Sequence, residues 1–194
     1  MCRKLLGIAV AAIEGIVAIR SGNLIELSEQ HILDCNYGHE GCKGGRYDHA
    51  LDFVKKNGGL ASDTDYPYTA AQGVCVNNKP SSLSSKFTGF GVVPYNDETS
   101  LLAAVAKQPV SVSININLLQ FYRSGIFTGE CKTNVNHAVA VVGYGKSEDG
   151  VKFWLIKNSW GLGWGEKGYA KLHRNIDAKE GMCGIAMYGR YPTA

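Results

Sequence analysis

The spacing of hydrophobic residues changes part-way along this chain of 194 residues, and that change constrains the fold more than any other feature. Before residue 86, apolar residues lie three and four positions apart, as in residues 47–57, which predicts helices. Beyond it, apolar residues alternate with polar ones from Val110 to Ile116, which predicts a half-buried strand. The chain is therefore predicted to be α+β, with a helical part followed by a mainly antiparallel β part.

Local signals set the ends of the predicted helices. Residues 5–20 are almost all apolar, which favours a helix buried on most sides, ended by Gly22, over a targeting signal. Ser28 is expected to cap a short helix that runs to Leu33, because its hydroxyl can accept from an orphan N–H of the first turn. Residues 99–107 predict one further helix within the β part.

The β part contains further strand predictions, separated by Gly-rich turns, at residues 137–145, 151–158 and 169–173. We expect one domain over residues 1–194, in which residues 1–90 form a helical lobe and residues 91–194 a β lobe. A binding cleft is expected between two such lobes.

Composition excludes several classes of function. Lys and Arg total 20 against 17 for Asp and Glu, so the net charge is +3, and the cations are scattered without a nucleic-acid footprint. The sequence lacks an uncharged apolar run long enough to span a membrane. We therefore expect neither nucleic acid nor membrane as a partner, and a monomer.

The six cysteines form no CxxC pairs, which disfavours a zinc site, and we expect no metal or cofactor. An even count favours disulfides and an oxidising compartment, although reduced core cysteines are the alternative. Six cysteines allow fifteen pairings, and the sequence alone does not choose among them.

Two motifs carry chemistry. His137 opens one predicted strand, and Asn158 ends the next, so that the two side chains can lie side by side in a sheet. Such a pair suits a general base whose ring is oriented by an amide. Trp160, two residues after Asn158, could cover the pair and exclude water. A structural histidine and a turn asparagine are the alternative interpretation of each motif alone.

These motifs, together with Ile13-Glu14-Gly15, Gly41-Cys42-Lys43-Gly44-Gly45 and Tyr66-Pro67-Tyr68, resemble the papain family of cysteine peptidases, particularly its plant members. The resemblance extends from Ala9 to Ala194 and implies that family's fold, a helical lobe and an antiparallel, barrel-like β lobe with the active-site cleft between them. It also implies peptide-bond hydrolysis by a Cys/His/Asn mechanism, and this family is itself a standard example of catalysis by a Cys–His pair.

The resemblance assigns roles to individual residues. His137 is similar to the family's histidine, Asn158 to its orienting asparagine and Trp160 to the shield over them. Peptide and protein substrates, and cystatin-like inhibitors, are the partners implied. The residues implied to bind a peptide are Lys43, Gly44 and Gly45 at the main-chain edge, and Tyr47, Ser113, Ala138 and Tyr188 around the main specificity pocket.

The family's nucleophile is not found where the resemblance places it. An ungapped count from Gly15 leads to Lys4, and the family segment Trp-Ala-Phe-Ser is absent, as are the residues expected upstream. A lysine ammonium does not attack an amide carbonyl, and the dipole of the following helix opposes its charge. Cys2 is two positions away, which disfavours it as a substitute nucleophile.

The same resemblance implies the disulfides Cys35–Cys75 and Cys131–Cys183. Cys42 would pair near Met1, so a Cys2–Cys42 bridge with a small adjustment, or a free Cys2, is expected. The family is usually vacuolar, lysosomal or extracellular, but the sequence shows no signal peptide that would assign this chain to such a compartment.

Three interpretations of activity remain open. The chain is an endopeptidase by descent that retains activity, or it is a catalytically dead pseudoenzyme that still binds peptides or inhibitors. The third is a wrongly predicted start that hides an intact enzyme. Because Lys4 stands at the nucleophile position, the sequence favours an inactive chain.

Overall fold

The computed structural model describes residues 3–37, 46–76, 85 and 87–193, and for residues 3–5 it describes the backbone alone. The chain divides into two compact units, one formed by Met1–Gly91 with Pro192–Ala194 and the other by Val92–Tyr191. Within the described residues, no helix combines the length and apolar character that crossing a membrane would require.

The first unit contains three helices: α1 (Arg3–Ser21), α2 (Glu29–Cys35) and α3 (Tyr47–Asn57). Between Leu6 and Ile16 most of α1 is buried, with Ala9, Ala12 and Ile13 fully covered, as predicted. Its last turn differs from the prediction, because Ile19 is 58% exposed. The helix ends where Gly22, at φ +74°, donates its N–H to the Ala18 carbonyl.

The start of α2 follows the predicted cap. Ser28 Oγ accepts from the His31 N–H at 2.9 Å and donates to the Tyr66 carbonyl at 2.6 Å. The cap therefore satisfies an orphan donor of the first turn and also fixes α2 against the segment that contains Tyr66. The helix extends two residues beyond the predicted end, to Cys35.

The second unit contains helix α4 (Glu98–Val105) and most of a seven-stranded sheet. The sheet order is β1-β7-β2-β4-β5-β6-β3, in which β3 runs parallel to β6 and the pairs β7–β2, β2–β4, β4–β5 and β5–β6 are antiparallel. The strands are β1 (Gly89–Val93), β2 (Val110–Ile114), β3 (Ile126–Phe127), β4 (His137–Lys146), β5 (Lys152–Lys157), β6 (Tyr169–His173) and β7 (Gly189–Thr193).

The α+β prediction is confirmed, but the half-buried character predicted for the strand at residues 110–116 is wrong. The strand β2 ends at Ile114, and Ser111, on the face expected to meet solvent, is fully buried. Pairing with β7 and β4 covers only the two edges of β2, so the burial of Ser111 shows that other residues also pack on the face expected to meet solvent. The short strands β1, β3 and β7 were not predicted, because none shows a clear alternation.

Two disulfides are formed among the described residues, Cys35–Cys75 in the first unit and Cys131–Cys183 in the second. Both are pairings that the resemblance implies. The predictions for Cys2 and Cys42 lie outside the described residues.

Candidate active site

The register of the sheet brings His137 and Asn158 together. His137 is the first residue of β4, and Asn158 immediately follows β5, which pairs with β4 through Ala140 and Lys157. The ring atom Nε2 of His137 lies 2.9 Å from Oδ1 of Asn158. The two strand ends therefore hold an imidazole and an amide in hydrogen-bond contact.

The backbone around Asn158 fixes which way its amide points. The Ser159 N–H donates to Asn158 Oδ1 at 2.8 Å, so this atom must be the oxygen, because two donors cannot face each other. Asn158 also donates its own backbone N–H to the Gly168 carbonyl at 2.9 Å. With the oxygen facing His137, Nε2 of the neutral ring carries the proton, and Nδ1 is the atom that can accept one.

Two tryptophan rings pack beside the pair. The His137 and Trp160 ring centroids are 5.0 Å apart, and Trp164 meets Trp160 edge-on at 5.6 Å. Trp164 is itself held by an N–H bond to the Leu119 carbonyl at 3.1 Å. Asn158 is only 6% exposed, so its bond to His137 is shielded from competing water.

A polar network behind the tryptophans was not foreseen from the sequence. Tyr122 packs on Trp164 and donates its hydroxyl to the Gly125 carbonyl at 2.6 Å, and burial raises the pKa of its phenol to about 12. Glu166 accepts from the Gly125 N–H at 2.8 Å and pairs with Lys171 at 2.9 Å, and the bond to Lys171 lowers the pKa of its carboxyl. Neither Tyr122 nor Glu166 belongs to a motif that would have marked it.

Close packing also explains a glycine in this region. Gly165 has φ +54°, and a Cβ there would lie 2.5 Å from the Tyr169 carbonyl oxygen. Only glycine fits this approach of two backbone segments. The turn between Trp164 and β6, and with it the support of the indole rings, depends on this residue.

Three of the residues predicted for a specificity pocket lie together in the second unit. Ser113 of β2 is the cross-strand partner of Ala138 on β4, and its N–H donates to the Tyr188 carbonyl at 3.3 Å. The Tyr188 side chain is 48% exposed and meets Tyr95 edge-on at 5.5 Å. These residues form one patch beside the start of β4.

The remaining predicted residues are elsewhere. Tyr47 opens α3 in the first unit and is 7% exposed. Lys4 lies in the first turn of α1, where only the backbone is described. Lys43, Gly44 and Gly45 are outside the described residues. Among the residues that are described, no three His, Cys, Asp or Glu side chains cluster as metal ligands would.

Comparison with known proteins agrees with this geometry. Residues 8–193 match the family model described as papain family cysteine protease. The chain is 48% identical over 186 residues to vignain of Vigna mungo. The aligned residues cover 94% of this chain and 51% of vignain. The chain is also 48% identical over 188 residues to the cysteine endopeptidase RepA of Oryza sativa subsp. japonica, covering 95% and 50%.

Solved structures are similar throughout the chain. The bromelain protease of Ananas comosus, in complex with the inhibitor E64, has a TM-score of 0.93 and 46% identity, covering 97% of this chain and 87% of that one. The Carica candamarcensis cysteine protease in complex with E-64 has a TM-score of 0.89 and 42% identity, covering 97% and 86%. The chain spans about half the length of the curated relatives it matches.

Proposed function

Because the chain belongs to the papain family of cysteine proteases, we propose that His137 and Asn158 are the acid–base half of a peptide-hydrolysing site. The observation that carries the proposal is the 2.9 Å bond between His137 Nε2 and Asn158 Oδ1, with the amide oxygen fixed by the Ser159 N–H. That arrangement leaves Nδ1 as the atom that would exchange a proton with a cysteine nucleophile and then with the leaving amine.

We also propose that this chain, with Lys4 in place, does not hydrolyse peptide bonds. Lys4 is in the first turn of α1 and, by the ungapped count, occupies the nucleophile position. The lysine amine is protonated at neutral pH and then has no lone pair with which to attack a carbonyl carbon. The partial positive charge at the start of α1 would favour a thiolate there and disfavours an ammonium.

We further propose that the chain retains the capacity to bind peptides. The patch formed by Ser113, Ala138 and Tyr188 supports binding of a substrate side chain. The bromelain and Carica candamarcensis structures contain E64, which supports peptide-like inhibitors as ligands and, by extension, cystatin-like proteins. The two disulfides support a vacuolar, lysosomal or extracellular compartment, where such bonds persist.

The test separates the position of the nucleophile from the state of the base. The unchanged chain is incubated with a fluorogenic dipeptide substrate and with E-64, a thiol-directed epoxide, and labelled residues are mapped by mass spectrometry. We expect no turnover and no label on Cys2. Turnover would show that the chain is an active peptidase, and an epoxide adduct on Cys2 in the same sample would identify the nucleophile.

A second set of variants asks whether position 4 belongs to the site. Lys4→Cys is introduced into a Cys2→Ser/Cys42→Ser background, so that the new thiol is the only free one expected. We expect E-64 to label Cys at position 4, and expect His137→Ala in the same background to slow labelling at least about a hundredfold, as loss of a general base does. Equal labelling rates with and without His137 would contradict the assignment of Lys4.

A further inference from the structure

Three cations form a row across neighbouring strands at the far end of the sheet from His137. Lys146, the last residue of β4, is the cross-strand partner of Lys152, the first residue of β5. Arg174 continues the register of β6 and donates its backbone N–H to the Lys152 carbonyl at 2.9 Å. Directly opposite residues project from the same face of a sheet, so these three side chains share one face.

No acidic side chain of the described residues forms an ion pair with this cation row, defined as Lys146, Lys152 and Arg174. None of the three makes an ion pair there, although Glu148 and Asp149 stand in the turn between Lys146 and Lys152. Glu98 is nearby, but its two oxygens accept from the Trp154 indole N–H at 2.7 Å and the Asn175 N–H at 2.8 Å. Like charges directly opposite each other destabilise a sheet, so the row has a cost in the folded chain.

Arg174 is held in place before any ligand arrives. Its guanidinium carbon lies 5.4 Å from the Tyr144 ring centroid and 5.3 Å from that of Trp154, and these two rings occupy the neighbouring cross-strand positions. The residue is 8% exposed, its Nη1 donates to Asn175 Oδ1 at 3.4 Å, and its Nε is buried with no hydrogen-bond partner among the described residues. Lys146 and Lys152 are exposed, so a ligand can reach the row.

We propose that the cation row binds a tetrahedral oxyanion, a sulfate or phosphate group that is either free or carried on a polymer. The guanidinium would bond two oxygens in a fixed geometry, and the two ammonium groups would neutralise the remaining charge. Because stacking on Tyr144 and Trp154 already orders Arg174, binding loses little conformational freedom. The anion would also relieve the repulsion between Lys146 and Lys152.

The experiment measures binding of dextran sulfate to the unchanged chain by calorimetry at low ionic strength, with unsulfated dextran as the control polymer. Lys146→Gln/Lys152→Gln should weaken binding about tenfold, the sum expected for two exposed ion pairs. The matched variant Lys55→Gln/Lys56→Gln removes the same charge from the exposed end of α3 and should change affinity less than about twofold. Equal losses in both variants would overturn the site in favour of general attraction by net charge.

Inorganic sulfate and inorganic phosphate distinguish the source of the oxyanion, read from the side-chain nitrogen resonances of Arg174 at matched ionic strength. Saturable shifts with the free ions indicate a small-molecule site, and shifts with dextran sulfate alone indicate a polymer-borne group. Arg174→Lys retains the charge but loses the planar fork, and we expect weaker binding at unchanged net charge. If neither the ions nor the polymer shift these resonances, the proposal is wrong.

Discussion

Two histidines in this chain, His31 and His137, occupy regions that use the imidazole in opposite ways. His31 is 5% exposed, and its Nδ1 accepts the backbone N–H of Ala61 at 3.2 Å. Its ring stacks on Tyr66 at 5.3 Å and meets Phe53 edge-on at 5.8 Å. His137 is half-buried at a strand end, and it faces an acceptor, Asn158 Oδ1, rather than a donor.

The difference lies in what protonation would do to each ring. A proton on His31 Nδ1 would break its bond to Ala61 and place a charge in an apolar environment. A proton on His137 Nδ1 would leave the bond to Asn158 intact, because Nε2 is a donor in both protonation states. One site therefore requires a neutral ring, and the other tolerates both forms, as a general base must.

If the two histidines differ in this way, replacing each should change the free energy of unfolding by different amounts. His31→Ala should lower the free energy of unfolding by about 3 kcal/mol, because it leaves a cavity and an unpaired N–H on the fully buried Ala61. His137→Ala should lower it by about 1 kcal/mol or less. Urea unfolding of both variants measures the two values.

Similar losses in the two variants would show that His137 is also a structural residue. In that case the bond to Asn158 would serve to join β4 to the end of β5, and the proposed acid–base role would lose its structural support. The His137→Ala variant must retain the circular dichroism of the unchanged chain for the comparison to hold.

The sequence allowed much of this contrast to be predicted, but not all of it. Strand ends at His137 and Asn158 follow from alternation, and the antiparallel register then makes their contact expected. The cap at Ser28 followed from local chemistry alone. By contrast, the role of His31 depends on Ala61, Phe53 and Tyr66, which are 22 to 35 residues distant along the chain.

The same limit applies to the unforeseen parts of the second unit. The cation row is dispersed in sequence, since Arg174 joins Lys146 and Lys152 only through the pairing of β5 with β6. The strand β3 has only two residues and pairs with β6 in parallel, so no pattern of its own marks it. Long-range register, rather than local preference, created each of these features.

The amide of Asn158 should control which nitrogen of His137 carries the proton. Asn158→Ala should cost about 1–2 kcal/mol, because it removes the buried acceptor to which the Ser159 N–H and His137 are bonded, and it should lower the fraction of neutral His137 that carries its proton on Nε2. Nitrogen NMR of the ring reports that fraction directly. Asn115→Ala is the matched control, because Asn115 is 2% exposed and bonds to Asn134 instead of His137. If Asn115→Ala changes the fraction of His137 protonated on Nε2 as much as Asn158→Ala does, general loosening of the fold, rather than loss of the amide oxygen, causes the change.

The smallest effect is a pH dependence that should belong to His31. Burial lowers the pKa of its imidazole below the ordinary value of 6.5, an effect that the charge of Asp34 only partly offsets. Between the lowered pKa and 6.5, the unfolded chain binds a proton at His31 that the folded chain does not, so stability rises with pH. The contribution is complete above pH 6.5 and is lost as pH falls toward the lowered pKa, with a slope of at most about 1.4 kcal/mol per pH unit.

His31→Gln, whose amide oxygen can still accept the Ala61 N–H without titrating, should remove this slope, as measured by urea unfolding across the window. If the slope persists in His31→Gln, another group controls the transition, and the contrast between the two histidines would rest on geometry alone.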